Sequence, residues 1–169
     1  MAFRIIVDGY NFIGRQKGLR GNIEAKREQL IDRLAQYRAH KGHAVTVVFD
    51  GHHSGWGDEH GEFRQGIEVV FSRHGETADE VMIRMAGELG AACLLVSSDR
   101  EIARESRAAG AVAVSIGEFE ARLMETMSGP EGRDSEGEEA DRPAVRSKKG
   151  NPRKLSKQDR KKRQRLNKL

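Results

Sequence analysis

The feature that most constrains the fold of this chain is the run Phe3 to Val7, apolar and rich in β-branched residues apart from Arg4, which ends abruptly in Asp8-Gly9. A short continuous apolar run stopped by glycine suits a strand buried on both faces, as in parallel sheets; a strand with one wet face would alternate. Parallel neighbours need a crossover between them, most often a helix. Ile23, Leu30, Ile31, Leu34 and Tyr37, with the stem of Arg27, recur at helical spacing before Gly42, so an amphipathic helix of about 18 residues follows a glycine-punctuated loop containing Gly14, Gly18 and Gly21. Ala44 to Phe49 is then a second strand, and it too ends in an acid and a glycine, Asp50-Gly51.

The alternation continues to about Met127. Residues 51–66 hold five glycines, three histidines and Trp56 without a helical period and are expected to be one long loop, a length more often functional than architectural. Ile67 to Phe71 is a third strand. Thr77-Ala78-Asp79-Glu80 fits a capping box ahead of Val81, Met82, Met85, Ala86 and Leu89. Ala91 to Val96 is a fourth strand, and Ser98-Asp99-Arg100-Glu101 fits a second box opening a helix that Gly110 stops. Ala111 to Val114 is a fifth strand, and Ser115 with Glu118 caps a last helix burying Phe119, Leu123 and Met127. The fold class is therefore α/β, with a central, mostly parallel five-stranded sheet between helices in three layers.

Charge divides the rest of the chain. Residues 146–169 hold twelve Lys/Arg against Asp159 alone, residues 129–145 hold six acids against two bases, and the overall charge of +4 leaves about −3 for residues 1–128. The expected organisation is one globular domain over 1–128, an acidic disordered linker over 129–145 and a basic disordered tail over 146–169, because Gly, Pro, Ser and charge leave little to bury. The single cysteine, Cys93, excludes an intrachain disulfide framework. No leader pattern and no apolar run of membrane-spanning length is present, so the expected location is cytoplasmic, with no membrane partner.

The acids carry the chemistry. In open parallel sheets, ligands bind beyond the carboxyl ends of the strands. Asp8, Asp50 and Asp99 follow the first, second and fourth strands, and Asp79 lies in the first turn of the helix after the third, so all four are expected at one edge. Each also has a plain role: Asp79 and Asp99 suit helix first turns, and Asp50-Gly51 suits a turn. Carboxylates gathered within about 6 Å repel unless a cation neutralises them, and Mg²⁺ or Mn²⁺ matches hard oxygen donors with room left for a phosphate. Such a site would hydrolyse phosphodiesters. Asn11 could bridge the backbone of its turn or hold a water or phosphate. Thr77, Ser97 and Ser98 invite the same pair of roles.

Val-Asp-Gly-Tyr-Asn (7–11), Val-Val-Phe-Asp-Gly-His (47–52), Glu-Thr-Ala-Asp-Glu (76–80) and Ser-Ser-Asp (97–99) together resemble the motifs of the YacP-like NYN domains, a branch of the PIN-like nucleases. The resemblance runs from about Phe3 to Phe119. It implies a PIN-like fold, divalent-metal-dependent endoribonuclease activity, and an acidic site of Asp8, Asp50, Asp79 and Asp99 with Asn11 alongside. Two departures stand out: Gly14-Arg15-Gln16-Lys17 is polar and basic where relatives often carry an apolar or aromatic patch, and Gly51 stands where alanine is common.

RNA is the expected partner. The loop with Trp56, His60 and Arg64 could lie over it, a base stacked on an aromatic ring gaining about 1–3 kcal/mol, and the basic tail could track phosphates and dock on structured RNA, including the ribosome. His52, His53 and His60 without a second ligand type fit zinc poorly. The competing function is a non-catalytic RNA- or ribosome-binding adaptor on the same fold, which predicts lost metal ligands where all four acids are present. An aspartate-nucleophile phosphohydrolase lacks its usual second acid two residues after Asp8, and a dinucleotide enzyme lacks its glycine fingerprint.

Overall fold

The computed structural model describes residues 3–51, 60–129 and 156–169. Its strands are β1 (Arg4–Asp8), β2 (Ala44–Phe49), β3 (His60–Arg64), β4 (Ile67–Phe71), β5 (Cys93–Val96) and β6 (Val112–Val114). They form one sheet in the order β3-β4-β2-β1-β5-β6. All neighbours run parallel except β3, which is antiparallel to β4. The helices are α1 (Gly9–Lys17), α2 (Ile23–Lys41), α3 (Ala78–Leu89), α4 (Arg100–Ala108), α5 (Ile116–Ser128) and α6 (Lys157–Leu166).

The two-residue period of the strands sorts the core into two layers. Ile5, Val7, Val47, Phe49, Leu94 and Val96 face α1, α2 and α5, meeting Phe12, Leu34, Tyr37 and Phe119. Ile6, Val48, Val70, Cys93 and Leu95 face α3 and α4, meeting Val81, Met82 and Ile102. Arg4 interrupts the first apolar run without being stranded: it bonds Glu68 across the sheet and donates to Thr46 Oγ1 at 3.1 Å, and Thr46 itself donates to Glu68 at 2.7 Å. Among the described residues no helix is long and apolar enough to cross a membrane.

The sheet has six strands rather than five, because part of the expected long loop is β3. Its sequence, His-Gly-Glu-Phe-Arg, has no apolar face to read: it is an edge strand with Phe63 75% exposed. What defines it is pairing with β4 across a two-residue Gln65-Gly66 turn, in which Gln65 takes φ 51°. The remainder of that loop, with His52, His53 and Trp56, lies outside the described residues.

The expected loop after β1 is also corrected, since Gly9 to Lys17 is helical. Here glycine is no breaker. A Cβ on Gly9 would lie 2.3 Å from the Phe49 ring, so the residue is small because β2 passes close by. Two smaller corrections follow. Asp99, not Ser98, caps α4, and Met127 is 42% exposed while Ile116 takes a buried place in α5.

The basic tail divides. Residues 130–155 lie outside the described residues, while 156–169 is ordered. Helix α6 starts at Ser156, whose hydroxyl accepts from Asp159 N at 3.2 Å, and Leu166 and Leu169 pack on the α1–α2–α5 core, Leu169 being 3% exposed. Tyr37 donates to Leu169 O at 3.3 Å, Lys162 pairs with Glu118 at 2.8 Å, and the Arg165 guanidinium lies 4.8 Å from the Phe3 ring centroid. Counting charge missed this because two leucines and an arginine stem suffice to dock a short helix.

Candidate functional site

The chain runs from β1 outward to β2 and β4, then returns across β1 to β5 and β6, so the order reverses between β1 and β5. At that switch point α1 leaves on one face of the sheet and α4 on the other, opening a crevice beyond the strands' carboxyl ends. Asp8 ends β1 at this crevice. In register it is level with Val48 of β2, and Ser97 follows Val96, the partner of Val7.

Strand parity adds direction. Asp8 shares the face of Ile6, Asp50 continues the phase of Val48, and Ser97 that of Leu95; all belong to the face covered by α3 and α4. The N-termini of those two helices carry Asp79 and Asp99. The fold thus brings four acids from four segments to one edge of the sheet.

Asp8 is 6% exposed. One carboxylate oxygen accepts from Asn11 N at 3.4 Å, capping α1, and the other accepts from the Ser97 hydroxyl at 3.3 Å. Ser97 also accepts from Asp99 N at 3.1 Å, so one buried hydroxyl links the two acidic positions. Burial pushes the Asp8 carboxyl up to about 6; the Asn11 N–H pulls it back, the charge of Asp79 raises it further, the Ser97 hydroxyl again lowers it, and Asp99 adds to the rise. Asp79 is likewise raised, by desolvation first and then by Asp99, Asp50, Glu80 and Glu101. Repulsion thus acts on Asp8 from Asp79 and Asp99, and on Asp79 from Asp99 and Asp50.

Their other bonds differ. Asp99 accepts from Glu101 N at 2.8 Å and Ile102 N at 3.3 Å through one oxygen, leaving the second out of the cap. Asp79 is exposed beside the capping box of α3, and Asp50 is half-buried just past β2. Next to Asp50, Gly51 donates to Ser72 Oγ at 2.9 Å, and a Cβ there would lie 1.8 Å from Ser72 O, so alanine does not fit this backbone.

The donor set, carboxylate oxygens near a buried acid that has no ion pair among the described residues, is of the kind that suits a hard divalent cation. Among the described residues no three His, Cys, Asp or Glu side chains stand close enough to form a ready cage. Mg²⁺ does not require such a cage, since it keeps several waters and binds through one or two carboxylates plus substrate phosphate.

The other candidates scatter. Asn11 acts through its backbone in capping α1. Thr77 is engaged on both sides, accepting from Glu80 N at 3.2 Å and donating to the Glu80 carboxylate at 3.3 Å. Ser98 accepts from Ile116 N at 3.4 Å, which ties the β5 exit to α5. His60 and Arg64 lie on β3, where Arg64 bonds Glu28 and pairs with Glu62 at 2.7 Å. An open groove of about 410 Å³ runs from Asn11 and Ser98 along Tyr10, Gly14, Arg15 and Leu19. This wall was missed with the helix: once α1 is seen, Asn11 and Arg15 are four apart and share a face.

The model of the YacP-like NYN domain matches residues 5–168. The chain belongs to the YacP-like NYN domain family. The match includes α6, so the C-terminal helix lies within the family domain and not beyond it, where the motif resemblance had left it. The uncharacterized protein YacP of Bacillus subtilis is 39% identical over 89 residues, 50% of this chain and 52% of that relative, so the match spans about half the relative's length. Crystal structures of Rae1 (YacP) from Bacillus subtilis are also similar, both at 29% identity: a tryptophan-to-leucine mutant at TM-score 0.64, covering 75% of this chain and 77% of that one, and a second structure at 0.62, covering 79% of each. The NYN domain is a nuclease-type domain of the PIN-like kind, and the fold here is of that kind.

Proposed function

We propose that this protein is a divalent-metal-dependent endoribonuclease acting at Asp8, Asp50, Asp79 and Asp99. The observation that carries the reading is Asp8 itself, a carboxylate buried at the switch point whose proton affinity is raised by burial and by two further acids, Asp79 and Asp99. A buried carboxylate is ordinarily paired with a cation; among the described residues Asp8 has no ion pair, and the charges that act on it are those of Asp79 and Asp99. Mg²⁺ or Mn²⁺ bound there would neutralise the acids and activate water for attack on a phosphodiester.

The chain's own residues prepare the site. Asn11 N–H and the Ser97 hydroxyl hold the Asp8 carboxylate in one orientation, and the cap on α4 does the same for Asp99. Asp79 and Asp50 complete the acidic wall, and the groove along Tyr10, Arg15 and Leu19 offers a cation and apolar surface to the adjoining nucleotide, with Asn11 and Ser98 at its margin. Trp56, His60 and Arg64 stand second to this groove as RNA contacts, because Arg64 is already committed to two glutamates. The basic C-terminal segment would hold structured RNA, including ribosomal RNA.

The test is incubation of the protein with end-labelled RNA in Mn²⁺ or Mg²⁺, beside EDTA and Asp8→Asn controls. Internal cleavage that stops in both controls is expected. Cleavage surviving in Asp8→Asn would refute the site, and wild-type protein that binds RNA yet leaves free and ribosome-presented RNA intact would favour the adaptor.

A further inference from the structure

Helix α6 meets the edge strand β6 and the end of α4 along two adjoining grooves, of about 450 and 210 Å³, which share Gly110, Val112 and Lys161. The larger is lined by Arg107, Lys157 and Lys161. All three are exposed, and none has an ion pair or a side-chain hydrogen bond among the described residues. The acid in the same groove, Asp159, is turned to its own helix cap, accepting from the Ser156 hydroxyl at 2.7 Å. The smaller groove extends the row through Lys168. Gly110 and Val112 stand at the amino end of β6, the end away from the four aspartates.

We infer that this groove is a second RNA-binding site, one that grips the phosphate backbone apart from the cleaving edge. The inference rests on RNA being the substrate. Three features select a nucleic-acid backbone over another polyanion. The cations stand on ordered helices, Arg107 on α4 and Lys157 and Lys161 on α6, so binding does not have to order a tail. Lys157 and Lys161 are one turn apart, an axial rise of about 6 Å, close to the phosphate repeat of a nucleic-acid strand. The walls are glycine, alanine, valine and aliphatic stems with no aromatic ring for bases, so contact would be to phosphate and independent of sequence. The groove then serves to retain a long RNA while its far portion reaches Asp8.

The experiment measures anisotropy of a labelled single-stranded RNA with the full chain in EDTA, across a salt series, for the wild type, for Arg107→Gln/Lys157→Gln/Lys161→Gln, and for Arg38→Gln/Lys41→Gln/Arg104→Gln, which removes the same charge elsewhere. Each single-strand phosphate contact contributes about 0.7 to the log–log salt slope. The groove variant is therefore expected to bind at least about tenfold more weakly at low salt, with a slope shallower by about 2, while the control stays near wild type. Equal losses in the two variants, or none in the groove variant, overturn the groove and leave the nuclease reading standing. Wild-type protein that binds polyglutamate but no RNA overturns both. Acetylation of the wild type with and without RNA, read by mass spectrometry, does not depend on how the variants fold: Lys157 and Lys161 are expected to be protected, and labelling unchanged by RNA refutes the site.

Discussion

Replacing Asp8 by asparagine should make the metal-free protein more stable at neutral pH. An Asp8 carboxyl raised from 3.8 to about 6 binds protons more readily in the folded than in the unfolded chain. Between about pH 4 and pH 6 the folded state therefore holds the extra proton, and stability falls as pH rises through that window, levelling off above it. At 1.36 kcal/mol per pH unit the cost of the buried charge is about 3 kcal/mol at pH 7.5. Asparagine removes the charge and keeps the geometry, since its carboxamide oxygen can still accept from Asn11 N and cap α1. For a chain of this size the gain corresponds to about 6–12 °C in the unfolding midpoint.

The assay is thermal unfolding of the wild type and Asp8→Asn in EDTA at pH 4.5, 6 and 7.5, repeated with Mn²⁺. The difference should grow from small at pH 4.5 to its full value at pH 7.5. Mn²⁺ at a hundredfold its dissociation constant should add about 2.7 kcal/mol to the wild type and little to the variant. A variant no more stable than the wild type at pH 7.5, or a difference independent of pH, would show that Asp8 is not a strained acid and would remove the physical basis for a cation there.

Gly51→Ala should cost about 1–3 kcal/mol in urea unfolding by forcing a Cβ against Ser72 O, so an unchanged midpoint would mean that the Asp50 turn is not placed as described. Leu169→Ala, which empties a buried site against the α1–α2–α5 core, should cost about 2–5 kcal/mol in the same assay, whereas a free basic tail would register nothing. Ser97→Ala removes a bond that lowers the Asp8 carboxyl and should move the acidic limb of the cleavage–pH profile upward; a profile that stays in place would separate that limb from Asp8. Cys93, fully buried and with its thiol pushed up to about 12, should resist a disulfide reagent at pH 8 until the protein is unfolded, which thiol titration with and without denaturant checks.

What could be read in the sequence were the elements that bury a face. β1, β2 and β4 each carry a short apolar run, the helices α2, α3 and α5 each carry an apolar pattern of helical period with a cap or a stop glycine, and all are where expected. β3, α1 and α6 carry no such pattern, for three different reasons. β3 is an outer edge strand made by pairing. α1 opens on a glycine required by Phe49, which reads as a turn. α6 is so charged that its two docking leucines are outweighed in any average over the segment.

The acids show the same division at finer grain. Their gathering at one edge follows from position alone, since each ends a parallel strand or begins the helix after one. Their orientation follows from parity, because Ile6 to Asp8 and Val48 to Asp50 are steps of two and carry both acids to the α3–α4 face. What no pattern of residues reveals is the linkage through Ser97, because a serine after a strand looks the same whether or not its hydroxyl spans from Asp8 to Asp99 N. That linkage bears on the proposed chemistry: it ties Asp8 to the backbone of Asp99, so two acids that repel one another are held near each other before any cation binds. A cation would relieve the repulsion by binding, and the repulsion is therefore part of what would make the site select one.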